Sequence, residues 1–335
     1  MKPGRMKKVA FIGTGGTIAS LGAGPLDVQD YGATGRRMHA DEIVAMFPEL
    51  ATVADVIPIR YRDIPSPGID FPDWRALVFG CDKAVAEHPD LAGIVIGHGT
   101  ASLEETAYML NLTVKVAIPV VVVGSQRPPT ALGSDAGPNL VAAIRTAASD
   151  AARGMGVLVV LNDEIQAARE VTKTSTLRLQ SFRTPDFGVL GHADGDRVAF
   201  YRAPLRRRAP DTAFDIRGLD ALPRVDINYA YTGSDGTAVR AFVQAGARGI
   251  VSAGFAPNFP TPADSDALAE AAASGVIVVQ STRAGSGRVF RGTRSRALGF
   301  LSADNLNPQK ARILLALALT LTQDREQVAA LFEEY

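Results

Sequence analysis

The most constraining feature is a repeated pattern: short apolar runs that stop abruptly in glycine and hydroxyl residues. Val9-Ala10-Phe11-Ile12 breaks into Gly13-Thr14-Gly15-Gly16-Thr17, and Gly93-Ile94-Val95-Ile96-Gly97 into His98-Gly99-Thr100. Pro119 and four consecutive valines break into Gly124-Ser125-Gln126-Arg127-Pro128. Runs this short and this apolar read as strands buried on both faces. Helical patterns between them, over 40–47, 72–87, from Leu103 onward and over 140–152, predict an α/β fold with a mainly parallel sheet. Further strands are expected over 53–59 and 156–161. In such a sheet, ligands bind beyond the carboxyl ends of the strands, where the hydroxyl-rich turns lie.

Length and charge narrow the class. With 335 residues the chain is long enough for two domains. The Arg- and Pro-rich stretch 202–223 is the expected linker, between a larger domain over 1–201 and a smaller α/β domain over 224–335. A net charge of zero argues against a nucleic-acid or anionic-membrane partner. No apolar stretch approaches the ~20 residues of a membrane span. The basic start Met1-Lys2-Pro3-Gly4-Arg5-Met6-Lys7-Lys8 precedes an apolar run too short for a signal segment, so a cytoplasmic location is expected. A single cysteine, Cys81, leaves no disulfide framework and no Cys-based metal site, and reads as an inert helix thiol.

Several chemistries are excluded. Ile18 stands where a dinucleotide-binding turn needs its third glycine, and no Gly-Lys-Ser/Thr phosphate loop occurs. The four histidines, His39, His88, His98 and His192, are scattered, so no metal set and no cofactor are expected. Hydroxyls at strand ends remain: Thr14, Thr17, Ser66, Thr100, Ser102, Thr172 and Thr174. A threonine is a poor nucleophile until a base takes its proton, and Lys173, between two of these threonines, is a candidate base. The loop 21–38, with Tyr31 inside it, has the length of a functional lid or a disordered segment. Ser102 and Glu105 have the spacing of a capping box.

Four motifs in register resemble the bacterial type L-asparaginase/glutaminase family: Thr14-Gly15-Gly16-Thr17-Ile18-Ala19, His98-Gly99-Thr100, Asn162-Asp163 through Arg169-Glu170-Val171-Thr172-Lys173-Thr174, and Leu306-Asn307-Pro308-Gln309-Lys310-Ala311-Arg312. The resemblance spans essentially the whole chain. It implies a larger flavodoxin-like N-terminal domain, a smaller C-terminal α/β domain, and hydrolysis of a small-molecule amide through a threonine acyl-enzyme. It implies a homotetramer, a dimer of dimers whose sites are shared between subunits. Carried over by position, Thr17 is the nucleophile, Tyr31 the lid tyrosine, and Thr100 with Lys173 the second catalytic pair. Ser66 holds the substrate carboxylate, and backbone N–H groups near Gly16 and Thr100 stabilise the oxyanion. Gly16, Pro67, Gly99, Ala101, Ser125 and Gln126 join Ser66 in the expected substrate-binding set, Gln126 standing where the family has an apolar residue.

The departures concern one substrate group. The family's His-Gly-Thr-Asp-Thr is His98-Gly99-Thr100-Ala101-Ser102, Pro67 follows Ser66 in place of Gln or Asp, and 288–296 contains no acid. The family's Gly-Asn-Gly turn is Ala256-Pro257-Asn258. Anchors for a substrate α-ammonium are thus missing together, and an unpartnered buried ammonium costs several kcal/mol. The expectation is an amidohydrolase for a substrate lacking that group. A weak L-asparaginase/glutaminase and a non-catalytic binding protein of the same fold are the alternatives.

Overall fold

A computed structural model describes residues 6–335; the first five residues of the basic start lie outside the described residues. The chain divides into two compact units, Met1–Arg217 and Gly218–Tyr335.

The first unit opens with β1 (Lys8–Gly13), α1 (Ala40–Met46), β2 (Asp55–Arg60) and α2 (Phe71–Glu87). It continues with β3 (Leu91–Gly97), α3 (Leu103–Thr113), β4 (Val120–Val123), α4 (Ala136–Ala148) and β5 (Val157–Leu161). These five strands are parallel and lie in the order β2-β1-β3-β4-β5. That is the flavodoxin-like order, with its topological switch point between β1 and β3, where a ligand crevice is expected. On one face, Val9, Phe11, Val95, Val121, Val123, Leu158 and Val160 pack with Leu140, Ala143 and Ile144 of α4 in a continuous buried core. Each such side chain contributes about 1.5–3 kcal/mol on burial.

The rest of this unit departs from the sequence expectation. Asn162 and Asp163 are a two-residue hairpin loop with φ of 53° and 62°, which turns the chain back antiparallel into β6 (Glu164–Ala167). A separate ribbon pairs β7 (Thr172–Lys173) with β8 (Phe182–Arg183). Then β9 (Gly191–Ala193) and β10 (Val198–Phe200) extend the main sheet antiparallel. The helix expected over 140–152 begins earlier, at Ala136, and ends at Ala148, followed by a single 3-10 turn, Asp150–Ala152. Within 202–223, Lys115 donates to the Thr212 hydroxyl at 2.7 Å, Arg217 pairs with Asp82 at 2.7 Å, and Phe214 and Ile216 are fully buried. Cys81 is buried in α2, and burial pushes its thiol up to about 12.

The second unit contains β11 (Val225–Tyr229), α5 (Thr237–Gln244), β12 (Gly249–Gly254), α6 (Pro262–Ala273) and β13 (Ile277–Thr282). α7 (Thr293–Ala297), β14 (Leu301–Ser302), α8 (Pro308–Leu321) and α9 (Arg325–Glu334) complete it. Its four strands are parallel and follow sequence order. α8 starts on a matched signal, with the Asn307 side chain accepting from the Lys310 N–H and Pro308 in the first turn. Among the described residues no helix is long and apolar enough to cross a membrane.

Candidate active site

The switch point is closed by backbone. The Thr14 N–H and its Oγ1 both donate to the Gly97 carbonyl at 2.9 Å, and the Ile64 N–H donates to the Thr14 carbonyl at 3.0 Å. The ends of β1 and β3 and the loop after β2 are therefore stitched together. Gly15 and Gly16 have φ of 99° and 83°, a region that L side chains rarely adopt. A Cβ on Gly16 would lie 2.2 Å from the Gly99 Cα, so the two strand-end turns touch main chain to main chain.

Thr17 follows at once, in a 3-10 turn over Thr17–Ala19, and is 9% exposed. Its Oγ1 lies 2.7 Å from the Tyr31 hydroxyl. Tyr31 opens a second 3-10 turn, Tyr31–Thr34, inside the loop expected to be a lid or disordered. The loop has an ordered path. Leu21 donates to the Arg36 carbonyl at 3.0 Å and Met38 to Ala19 at 2.7 Å, which pins both ends beside Thr17. Leu132 donates to the Pro25 carbonyl at 2.7 Å and supports its middle.

The second strand end carries the second pair. Lys173 Nζ donates to Thr100 Oγ1 at 2.7 Å. Lys173 is half-buried on β7; burial lowers its pKa, and the charge of Glu104 partly offsets that shift. His98 is fully buried between these turns; its Nδ1 lies 2.8 Å from the Gly99 carbonyl, and burial pushes its pKa down to about 4. A neutral imidazole holding its own loop is a structural part of the frame.

Ser66 begins a 3-10 turn, Ser66–Gly68, and is 4% exposed. Its Oγ accepts the Ala101 N–H at 3.3 Å, which leaves its proton available to a ligand. Ser102 does not form the expected capping box. Its hydroxyl donates instead to the Ser66 carbonyl at 2.6 Å, a tertiary bond that ties the Ser66 turn to the start of α3. Pro67 and Ala101 are exposed beside these bonds and offer no carboxylate.

The loop after β4 is held by Asp135, which accepts from the N–H groups of Gln126 and Arg127 at 2.9 Å each. Ser125 spends its proton on the Arg127 carbonyl at 2.8 Å. The Gln126 side chain is buried, and its Nε2 has no partner among the described residues. Among the described residues no hydrogen bond joins either side chain to Thr17, Thr100 or Lys173; what associates them with the site is their place just beyond strand β4. No cluster of three metal-ligating side chains occurs among the described residues.

Three charged residues near these turns carry no signal in the sequence pattern. Asp63 presses against the glycine turn: a Cβ on Gly15 would lie 2.2 Å from its Oδ1. Its Oδ2 pairs with Arg37 at 3.4 Å. Glu104 is 7% exposed at the second position of α3. The one available clue was position, since Asp63 and Glu104 both fall just beyond strands β2 and β3.

Comparison with known proteins decides the family. Residues 8–206 match the model for the asparaginase N-terminal domain, and 224–332 match the glutaminase/asparaginase C-terminal domain. The chain belongs to the asparaginase/glutaminase family. It is 38% identical to a probable periplasmic L-asparaginase of Haemophilus influenzae, over 98% of this chain and 93% of that protein. It is 38% identical to a glutaminase-asparaginase of Pseudomonas fluorescens biotype A, over 99% of this chain and 91% of that protein. The crystal structure of a probable cytoplasmic L-asparaginase from Campylobacter jejuni superposes with a TM-score of 0.93 at 37% identity, covering 98% of this chain and 100% of that one. As a member of this family, the protein is an amidohydrolase acting on carbon–nitrogen amide bonds.

Proposed function

We propose that this amidohydrolase cleaves its amide through an acyl-enzyme on Thr17, and that its substrate lacks the α-ammonium of free asparagine. One observation carries this reading. Two intact 2.7 Å pairs, Thr17–Tyr31 and Thr100–Lys173, stand beside Ala101 and Pro67, which supply no anchor for a positive group.

Thr17 Oγ1 attacks the amide carbonyl while its proton passes to the Tyr31 oxygen and the phenolic proton of Tyr31 passes on to the leaving nitrogen. The oxyanion forms against backbone N–H groups at Gly16, Gly99 and Thr100, a contribution typically worth about 3–4 kcal/mol per donor. The C–N bond breaks and nitrogen leaves with a proton as ammonia or an amine. Water, deprotonated through Thr100 and Lys173, then splits the ester and returns Thr17 as a free hydroxyl. Ser66 donates its remaining proton to a substrate carboxylate. The buried Gln126 amide is a hydrogen-bond donor for a neutral group in the pocket.

The test is a screen of amides, imides and lactams for release of ammonia or amine. Wild type turns over at least one such compound, and Thr17→Ala loses about 10³-fold or more. Equal release by the two proteins overturns the proposal. The names of the relatives favour a second reading, hydrolysis of asparagine or glutamine itself. Turnover of free asparagine at millimolar concentration that matches the best screened amide supports that reading against ours.

The same family resemblance supports a homotetramer with sites shared between subunits, which light scattering on the purified protein tests. It is compatible with cytoplasmic residence, although the relatives carry both cytoplasmic and periplasmic names.

A further inference from the structure

The loop that carries Tyr31 closes at its base beside Thr17, and that base holds an ion pair to which no role has been given. Leu21 donates to the Arg36 carbonyl and Met38 to the Ala19 carbonyl, so Arg37, bridged to Ser20, sits between the two bonds that shut the loop. Arg37 Nη1 lies 3.4 Å from Asp63 Oδ2, with the two side chains 27% and 24% exposed. Asp63 belongs to the frame. The next residue, Ile64, donates its N–H to the Thr14 carbonyl at 3.0 Å, and a Cβ on Gly15 would lie 2.9 Å from the Ile64 nitrogen. The other carboxylate oxygen of Asp63, Oδ1, is buried against Gly15 and has no hydrogen-bond partner among the described residues. A carboxylate held this way is compensated by the cation beside it, and it loses that compensation when the cation moves away. We propose that Asp63 is a positioning residue: its ion pair with Arg37 latches the loop over the glycine turn and so holds Tyr31 on Thr17.

The neighbouring charges have partners of their own. Arg60 is matched by Asp41 of α1 at 2.6 Å, and Arg62 by Asp73 of α2 at 2.8 Å. Arg60, Arg62 and Asp63 thus answer three different elements, and Asp63 is the one that answers the loop. Inside the loop, Asp27 accepts from the Ala23 and Asp30 N–H groups at 3.0 Å each and shapes its own turn. The middle of the loop is held by neutral bonds: Gly22 donates to Thr130 Oγ1 at 2.9 Å, and Leu132 to the Pro25 carbonyl at 2.7 Å. At the base, Ser20 Oγ donates to the Gly16 carbonyl at 2.9 Å, so the residue bridged to Arg37 moves with the glycine turn. The latch therefore acts at the hinge, where a small opening swings Tyr31 away from Thr17.

The inference rests on the proposed role of Tyr31, and its first test needs no turnover. The Leu21 and Met38 amides exchange with deuterated water when the base of the loop opens, and mass spectrometry of the peptides that contain them reads that opening. Asp63→Asn keeps the shape and removes the charge; it speeds exchange of both amides about fivefold, the upper end for a partly exposed ion pair. Arg37→Gln does the same, and the double variant exchanges no faster than either single one, because the pair is lost only once. Unchanged exchange in Asp63→Asn, or a double variant whose acceleration is the product of the two single ones, overturns the proposal. If Asp63→Asn does not fold, Arg37→Gln, on the loop side of the pair, carries the test alone, and unchanged exchange there overturns it. Where a substrate is in hand, Asp63→Asn lowers kcat about threefold in the wild-type background and not at all in Tyr31→Phe. An equal loss in both backgrounds shows a carboxylate that supports the frame without acting through Tyr31, and it overturns the positioning role. If the exchange cycle behaves as expected while Thr17→Ala matches wild type in amide release, the latch stands and the catalytic reading falls.

Discussion

The two hydroxyl pairs have the same 2.7 Å separation and opposite constructions. Thr17 and Tyr31 are 14 residues apart, at the two sides of one loop. Thr100 and Lys173 are 73 residues apart and join the end of a core strand to a separate two-stranded ribbon. The first pair is neutral and closes with a short loop, so it can open without disturbing the sheet. The second contains a charge and is fixed by the scaffold, so what varies there is the proton. One half of the site is thus adjustable in geometry and the other in ionisation.

Three experiments break or sharpen this contrast. Lys173→Met removes the charge and the donor while keeping an unbranched side chain. We expect kcat to fall about 10²–10³-fold, the range typical of a lost general base, measured with the best substrate from the amide screen. Tyr31→Phe removes a single hydroxyl from the loop pair. The expected loss in kcat is about 10²-fold, the low end for a lost proton-transfer group, with Tm unchanged. The smallest effect lies in stability. His98, on the scaffold side, is held neutral by a fold that lowers its pKa from 6.5 to about 4. The unfolded chain binds that proton more readily, so the contribution is fully present above about pH 6.5 and is lost as pH falls toward 4. His98→Gln should therefore flatten the pH dependence of Tm within that window relative to wild type. A parallel decline in both proteins would show that His98 is not the group responsible.

Legibility in the sequence followed burial. Strands β1, β3, β4 and β5 could be read because they are almost wholly buried and appear as short apolar runs, whereas β2, at the sheet edge, has no fully buried residue and was legible only by its alternation. The strands β6 to β10 could not: they are two to four residues long, and their pairing depends on a hairpin at Asn162-Asp163 that reads equally well as a strand end. The Ser102–Glu105 spacing suggested a local cap, but a tertiary acceptor, the Ser66 carbonyl, took the hydroxyl. Loop 21–38 has no periodicity because its order comes from contacts at Ala19, Arg36 and Leu132 rather than from a repeating face.

The face-to-face approach of Gly16 and Gly99 has a consequence for how such a protein can diversify. A methyl group on either glycine would meet main-chain or Ser66 atoms well inside contact distance. The spacing between the two halves of the catalytic floor is therefore set by peptide groups, which no side-chain replacement elsewhere can retune. Under the proposed function, positions such as 67, 101 and 126 are the ones left to change which substrate is taken. The frame itself tolerates almost no variation, so new substrates are reached by redecorating a fixed stage.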